Sequence, residues 1–213
     1  GFLMEDRYRR PADRLVTTEI NIKRSRFITL LGRASSEDEA REFIRQARSR
    51  YPDARHHCSA FIIHLDGAMP IERSSDDGEP SGTAGNPMLD VLRGSGLLDV
   101  VAVVVRYFGG VKLGTGGLVR AYSDAVASAL ETVEVTKRSR RLRGTLSVDH
   151  ADAGRTEAEL RAHGWDVVGT DYTAKAHIHI AVTPDSRDRC DASVASMSAG
   201  RYQVDWSELD WIG

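Results

Sequence analysis

The sequence predicts an α+β chain of two domains, and three observations predict it. Apolar runs rich in Val, Ile and Leu alternate with helical stripes as far as Val133. A basic stretch without a helical stripe, KRSRRLR at Lys137 to Arg143, then marks a linker. Beyond it the signals run strand, helix, strand, strand, helix, strand, the βαββαβ order of a small ferredoxin-like unit. The expected domains are residues 4–138 and 139–213.

Leu15 to Ile22 and Arg26 to Ala34 are rich in Val, Ile, Thr and Leu and flank the polar NIKRSR, so they read as strands joined by a turn. Ser36 and Glu39 form a capping-box signature, and Ala40, Phe43, Ile44 and Ala47 recur at helical spacing until Pro52. His57 to Leu65 reads as a strand, and the segment DGAMPIERSSDDGEPSGTAGNP after it as one long loop. Asn86 is placed to cap a short helix, with Pro87 in its first turn and Gly94 past its end. Leu97 to Val105 is nearly continuous apolar sequence, the pattern of a central strand covered on both faces. RYFGGVKLGTGGLVR, Arg106 to Arg120, then runs into Leu118, Tyr122, Ala125, Val126, Ala129, Leu130 and Val133, one stripe of a helix.

In the second domain the strands are Thr145 to Asp149, Trp165 to Tyr172, Lys175 to Thr183 and a last one carrying Tyr202, Val204 and Trp206. The helices are Ala151 to His163, closed by Gly164, and a second that Thr183 and Pro184 open and Gly200 closes. Ile178, Ile180 and Val182 alternate with His177 and His179, which gives that strand one buried and one polar face.

With 213 residues, 41% hydrophobic and 28% charged, the chain has the balance of a soluble protein able to bury a core. Its net charge of -2 means that nucleic-acid contact must come from a local basic patch. Cys58 and Cys190 are far apart and form no CxxC or finger spacing, so free thiols in a reducing cytosol are expected. No apolar run approaches the roughly 20 residues of a membrane helix and GFLMEDRYRRP lacks the order of a signal peptide, so a cytoplasmic protein is expected. Gly1 to Leu3 precede Met4 and are set aside as a remnant outside the fold.

The glycine segment carries Gly109, Gly110, Gly114, Gly116 and Gly117 beside Arg106, Lys112 and Arg120. Glycines let backbone amides approach an anion, and a following helix N-terminus adds a favourable dipole; they equally permit a tight turn, and both readings stand. No P-loop is present, and GTGGLV lacks the last glycine of a dinucleotide fingerprint. Asp76, Asp77 and Glu79 with Ser74, Ser75, Ser81 and Thr83 offer oxygen ligands for a hard cation such as Mg²⁺, or else a solvated turn. Strand alternation sends His56 and Cys58 to one face and His57 to the other, which disfavours a shared zinc.

Taken together, YPDARHHCSAF at Tyr51 to Phe61, SSDDGEPSGTAGNPMLDVL at Ser74 to Leu92 and VVVRYFGGVKLGTGGLVRAYSDA at Val103 to Ala125 resemble the signature blocks of the YigZ/IMPACT family. The resemblance covers about residues 8 to 136, while Arg143 to Gly213 is similar in layout to the family's C-terminal domain. It implies an N-terminal α/β domain like domain IV of elongation factor G, a two-layer fold of ribosomal-protein type, and a ferredoxin-like domain similar to its domain V. Eukaryotic IMPACT follows an RWD domain and acts in translational control; a bacterial-type member without that domain is expected here. The signature residues are expected to line one cleft: His56, His57, Asp76, Asp77, Glu79, Thr83, Arg106, Tyr107, Lys112, Thr115 and Arg120, with the glycines giving backbone access.

Two functions compete on this sequence. One is a non-enzymatic regulator without a cofactor, whose cleft binds structured RNA, the ribosome or a translation-regulatory protein. The other is a phosphoester hydrolase in which Asp76, Asp77 and Glu79 hold Mg²⁺ and His56 or His57 moves a proton.

Overall fold

The chain divides between Lys137 and Arg138 into two units, each with its own core. The computed structural model describes residues 6–213, so the remnant expected at Gly1 to Leu3 lies outside the described residues.

The first unit contains β1 (Arg7–Pro11), β2 (Val16–Ile22), β3 (Ser25–Arg33), α1 (Glu37–Arg50), β4 (His56–Ile63), β5 (Ile71–Ser75), α2 (Gly85–Ser95), β6 (Val100–Tyr107) and α3 (Gly114–Thr132). Five of its strands form a sheet in the order β2-β3-β6-β4-β5, each neighbouring pair antiparallel. Lys23 and Arg24, at φ 47° and 68°, make the tight turn from β2 to β3. β6 lies at the centre, and Val100 to Val105 are wholly buried, as continuous apolar sequence requires of a strand covered on both faces. On one face Met88 and Leu92 of α2 and Tyr122, Ala125 and Val126 of α3 pack over Leu31, Ala60, Ile62, Ala102 and Val104. On the other, Phe43, Ile44 and Ala47 of α1 cover Ile28, Leu30, Val103 and Val105. The two-layer arrangement of sheet and paired helices thus carries α1 as a further cover.

Three sequence readings change. The long loop contains β5, a short edge strand whose polar IERSS hides its pairing with β4. Helix α2 runs through Gly94 and stops at Gly96, which has φ 74°, while Asn86 lies inside its first turn. β1 gives little apolar signal in RYRRP, yet Tyr8 donates to Asp99 Oδ2 at 2.7 Å and Leu98 N donates to Arg9 O at 3.0 Å.

In the second unit β7 (Val135–Val148), which begins before the division, is followed by α4 (Ala153–Ala162), β8 (Asp166–Tyr172), β9 (Ala176–Val182), α5 (Arg187–Met197) and β10 (Val204–Ile212). The order β10-β7-β9-β8 is that of a ferredoxin-like βαββαβ sheet. Leu146, Ile178, Ile180, Leu160 and Val194 fill its core. His177 and His179 take the opposite face and bond Ser147 and Thr145. KRSRRLR is not a linker: it lies inside β7, where Ser139 pairs Ile212 and Leu142 pairs both Leu209 and Val182. Partner strands satisfy that backbone, although the division between the two units does fall inside the stretch, after Lys137.

Candidate functional site

β4 and β6 are neighbours in register, with His56 opposite Arg106. Alternation directs His56, Cys58 and Arg106 to the face covered by α2 and α3, and His57, Val105 and Tyr107 to the face of α1. Arg106 is 5% exposed, and its Nη1 donates to both oxygens of buried Glu79, at 3.0 and 2.7 Å. Its Nη2 donates to Ser25 Oγ at 3.3 Å. Tyr122 OH donates to Glu79 Oε2 at 2.5 Å, and His56 Nε2 lies 3.3 Å from Oε1. His56 Nδ1 is 2.8 Å from the carbonyl oxygen of Asp77. Burial raises the Tyr122 phenol, with neighbouring Cys58 and Glu79 adding to it, and so keeps it a donor. Burial likewise pushes the Cys58 thiol up to about 12.

Beside this cluster opens a cleft of about 430 Å³. Of the residues expected to line it, His56, Glu79, Arg106, Lys112, Gly114 and Thr115 do, so all three signature segments contribute. Arg55, Phe108, Leu113 and Leu118 also line it. Its floor includes the start of α3, which has no side-chain cap and no acidic residue in its first turn. Gly114 has φ 74°, and a Cβ on Gly109 would stand 2.1 Å from the backbone of Arg24. These two glycines serve the turn that brings α3 to the cleft.

The other expected residues are not among the cleft's lining. His57 is buried on the α1 face, its Nε2 2.6 Å from Tyr51 O. Asp76 accepts from Gly82 N, Ala84 N and Gly85 N at 2.8, 3.1 and 2.8 Å, and so caps α2 from outside the helix. Burial pushes its pKa up, but those amides outweigh it and hold it below 3.8. Asp77 accepts from His57 N at 2.7 Å and pairs with Arg48 at 3.3 Å; burial is again outweighed and its pKa lies below 3.8. Thr83 is buried and donates to Pro80 O at 2.6 Å, and Tyr107 donates to Asp53 at 2.9 Å. Gly110 sits in the preceding turn, and Gly116, Gly117 and exposed Arg120 follow along α3.

The donors do not fit a hard cation, because the three carboxylates are committed to three different sets of partners: amides, Arg48, and Arg106 with Tyr122. Among the described residues no group of three His, Cys, Asp or Glu is arranged to hold a metal. The sequence reading passed over Arg55, Phe108, Ser25 and Tyr122. Phe108 was within reach, since it stands two residues after Arg106; Tyr122 was hidden in an apolar helical stripe.

Residues 23–130 match the family described as the Impact N-terminal domain, and residues 146–201 match a domain of unknown function, DUF1949. The chain is 38% identical to the IMPACT family member YigZ of Escherichia coli over 89% of its length and 93% of the relative's. It is 38% identical to YvyE of Bacillus subtilis over 91% of its length and 88% of the relative's. A crystal structure of a hypothetical protein, 36% identical, aligns with 96% of this chain and 99% of its own at a TM-score of 0.64. The two-domain translational regulator Yih1 aligns with 61% of this chain and 49% of its own at 25% identity and a TM-score of 0.35.

Proposed function

This chain belongs to the IMPACT family, and on that footing we propose that it is a non-enzymatic, translation-associated regulator whose N-terminal cleft grips the phosphates of structured RNA, free or on the ribosome. The translational part of this reading comes from the family, the binding part from the cleft.

The observation that carries it is uncompensated positive charge at the cleft. Neither Arg55 nor Lys112 is ion-paired among the described residues, and the uncapped start of α3 adds its dipole. Beneath them Arg106 is held rigid by Glu79 and keeps its Nε without a hydrogen-bond partner. With a net charge of -2 over the chain, attraction for phosphate has to come from a local patch such as this one. The hydrolase alternative finds no support in this geometry, because Asp76 and Asp77 are spent on backbone amides and on Arg48.

Ribosome co-sedimentation and equilibrium binding of a structured RNA test the reading. The double variant Arg55→Ala, Lys112→Ala is expected to bind more weakly and to lower the slope of log K against log salt by about two. Profiles that match wild type would remove the cleft from the interface.

A further inference from the structure

Resting on the reading of the cleft as an RNA site, we infer that it receives one unstacked nucleotide of an RNA loop or end, its base against Phe108 and its phosphate against Lys112 and the first amides of α3.

The apolar side of the cleft points to a base. Phe108 is 42% exposed although it lies beside a buried cluster, and the guanidinium carbons of Arg55 and Arg106 stand 5.7 and 5.6 Å from its ring centroid. Leu113, Leu118 and Pro80 extend that apolar surface. An aromatic ring with guanidinium groups over it offers planar surfaces on which any base can stack, whereas a fully paired A-form duplex has no unstacked base to offer. A volume of about 430 Å³ holds one nucleotide and excludes a helix.

The phosphate end has its own support. Arg106, 5% exposed and lining the cleft, keeps a donor nitrogen without a partner. Gly116, in the first turn of α3, is not required by the fold: its φ is ordinary and a Cβ there would meet no atom within 4 Å. A glycine weakens a helix relative to alanine, so alanine at Gly116 should stabilise α3 while placing a methyl beside its first amides. Gly94, exposed within α2, also meets no atom within 4 Å and provides the control.

Fluorescence anisotropy with the full chain tests this with three probes: a hairpin RNA, the same hairpin with abasic loop positions, and a blunt duplex of equal composition. The hairpin is expected to bind about tenfold tighter than the other two. Phe108→Ala is expected to erase that advantage without weakening duplex binding, and Phe108→Trp to keep it. Gly116→Ala should raise the melting temperature yet weaken hairpin binding severalfold, while Gly94→Ala raises the melting temperature and leaves binding alone. Equal binding of all three probes, unaffected by Phe108→Ala but weakened by Lys112→Ala, overturns the nucleotide inference and leaves the phosphate reading standing. Failure of the wild-type protein to bind any of the RNAs overturns both.

Discussion

Glu79 accepts from Arg106 and Tyr122 in a place where all three are almost wholly buried, so removing one partner strands the others. Arg106→Ala should therefore cost about 3–5 kcal/mol in urea unfolding. The double variant Arg106→Met, Glu79→Leu should be more stable than Arg106→Ala, because it removes both buried charges together; a double variant less stable than the single would refute that account. Asp76 and Asp77 set the acid limit. Both carboxyls titrate below the 3.8 of an unpaired Asp, so their contribution is complete above that value and disappears as pH falls through the lower folded pKa values. Stability against pH should fall steeply below about 4 for wild type and less steeply for Asp76→Asn.

At the level of elements, two helices are capped by different means. Ser36 accepts from Glu39 N at 3.1 Å, a local cap spelled out by the sequence, and Ser36→Ala should lower stability by about 1 kcal/mol. Helix α2 has no local side-chain cap and relies on Asp76, so Asp76→Ala, which frees three amides, should cost more than Ser36→Ala in the same titration. This contrast explains what was legible. Elements declared by apolar period, such as β6 and α3, could be read directly, as could the split of His56 from His57. Elements held by distant partners could not: β1 and β7 are rich in arginine, and only their pairing makes them strands. The site followed the same rule. Of the five glycines only Gly114 lines the cleft, and the commitment of Asp76 to the amides at the start of α2 is a tertiary fact with no local signature.

For the whole molecule, each unit holds one cysteine in its core, Cys58 in the first and Cys190 in the second. Burial pushes them up to about 12 and about 11, so neither is a ready thiolate at neutral pH. Native protein should react with a thiol reagent at rates limited by opening, and Cys58→Ala and Cys190→Ala should each remove one kinetic phase, giving a readout of each unit separately. Fast stoichiometric labelling of folded protein would contradict that burial.

Because β7 runs unbroken from Val135 to Val148, the apparent seam in the sequence is a poor place to cut. Ile212 pairs alongside Ser139 and Trp211 alongside Arg140, so an excised C-terminal piece beginning after Ser139 would leave its own final residues with an unpaired edge. The excision point has to lie upstream of Ser139.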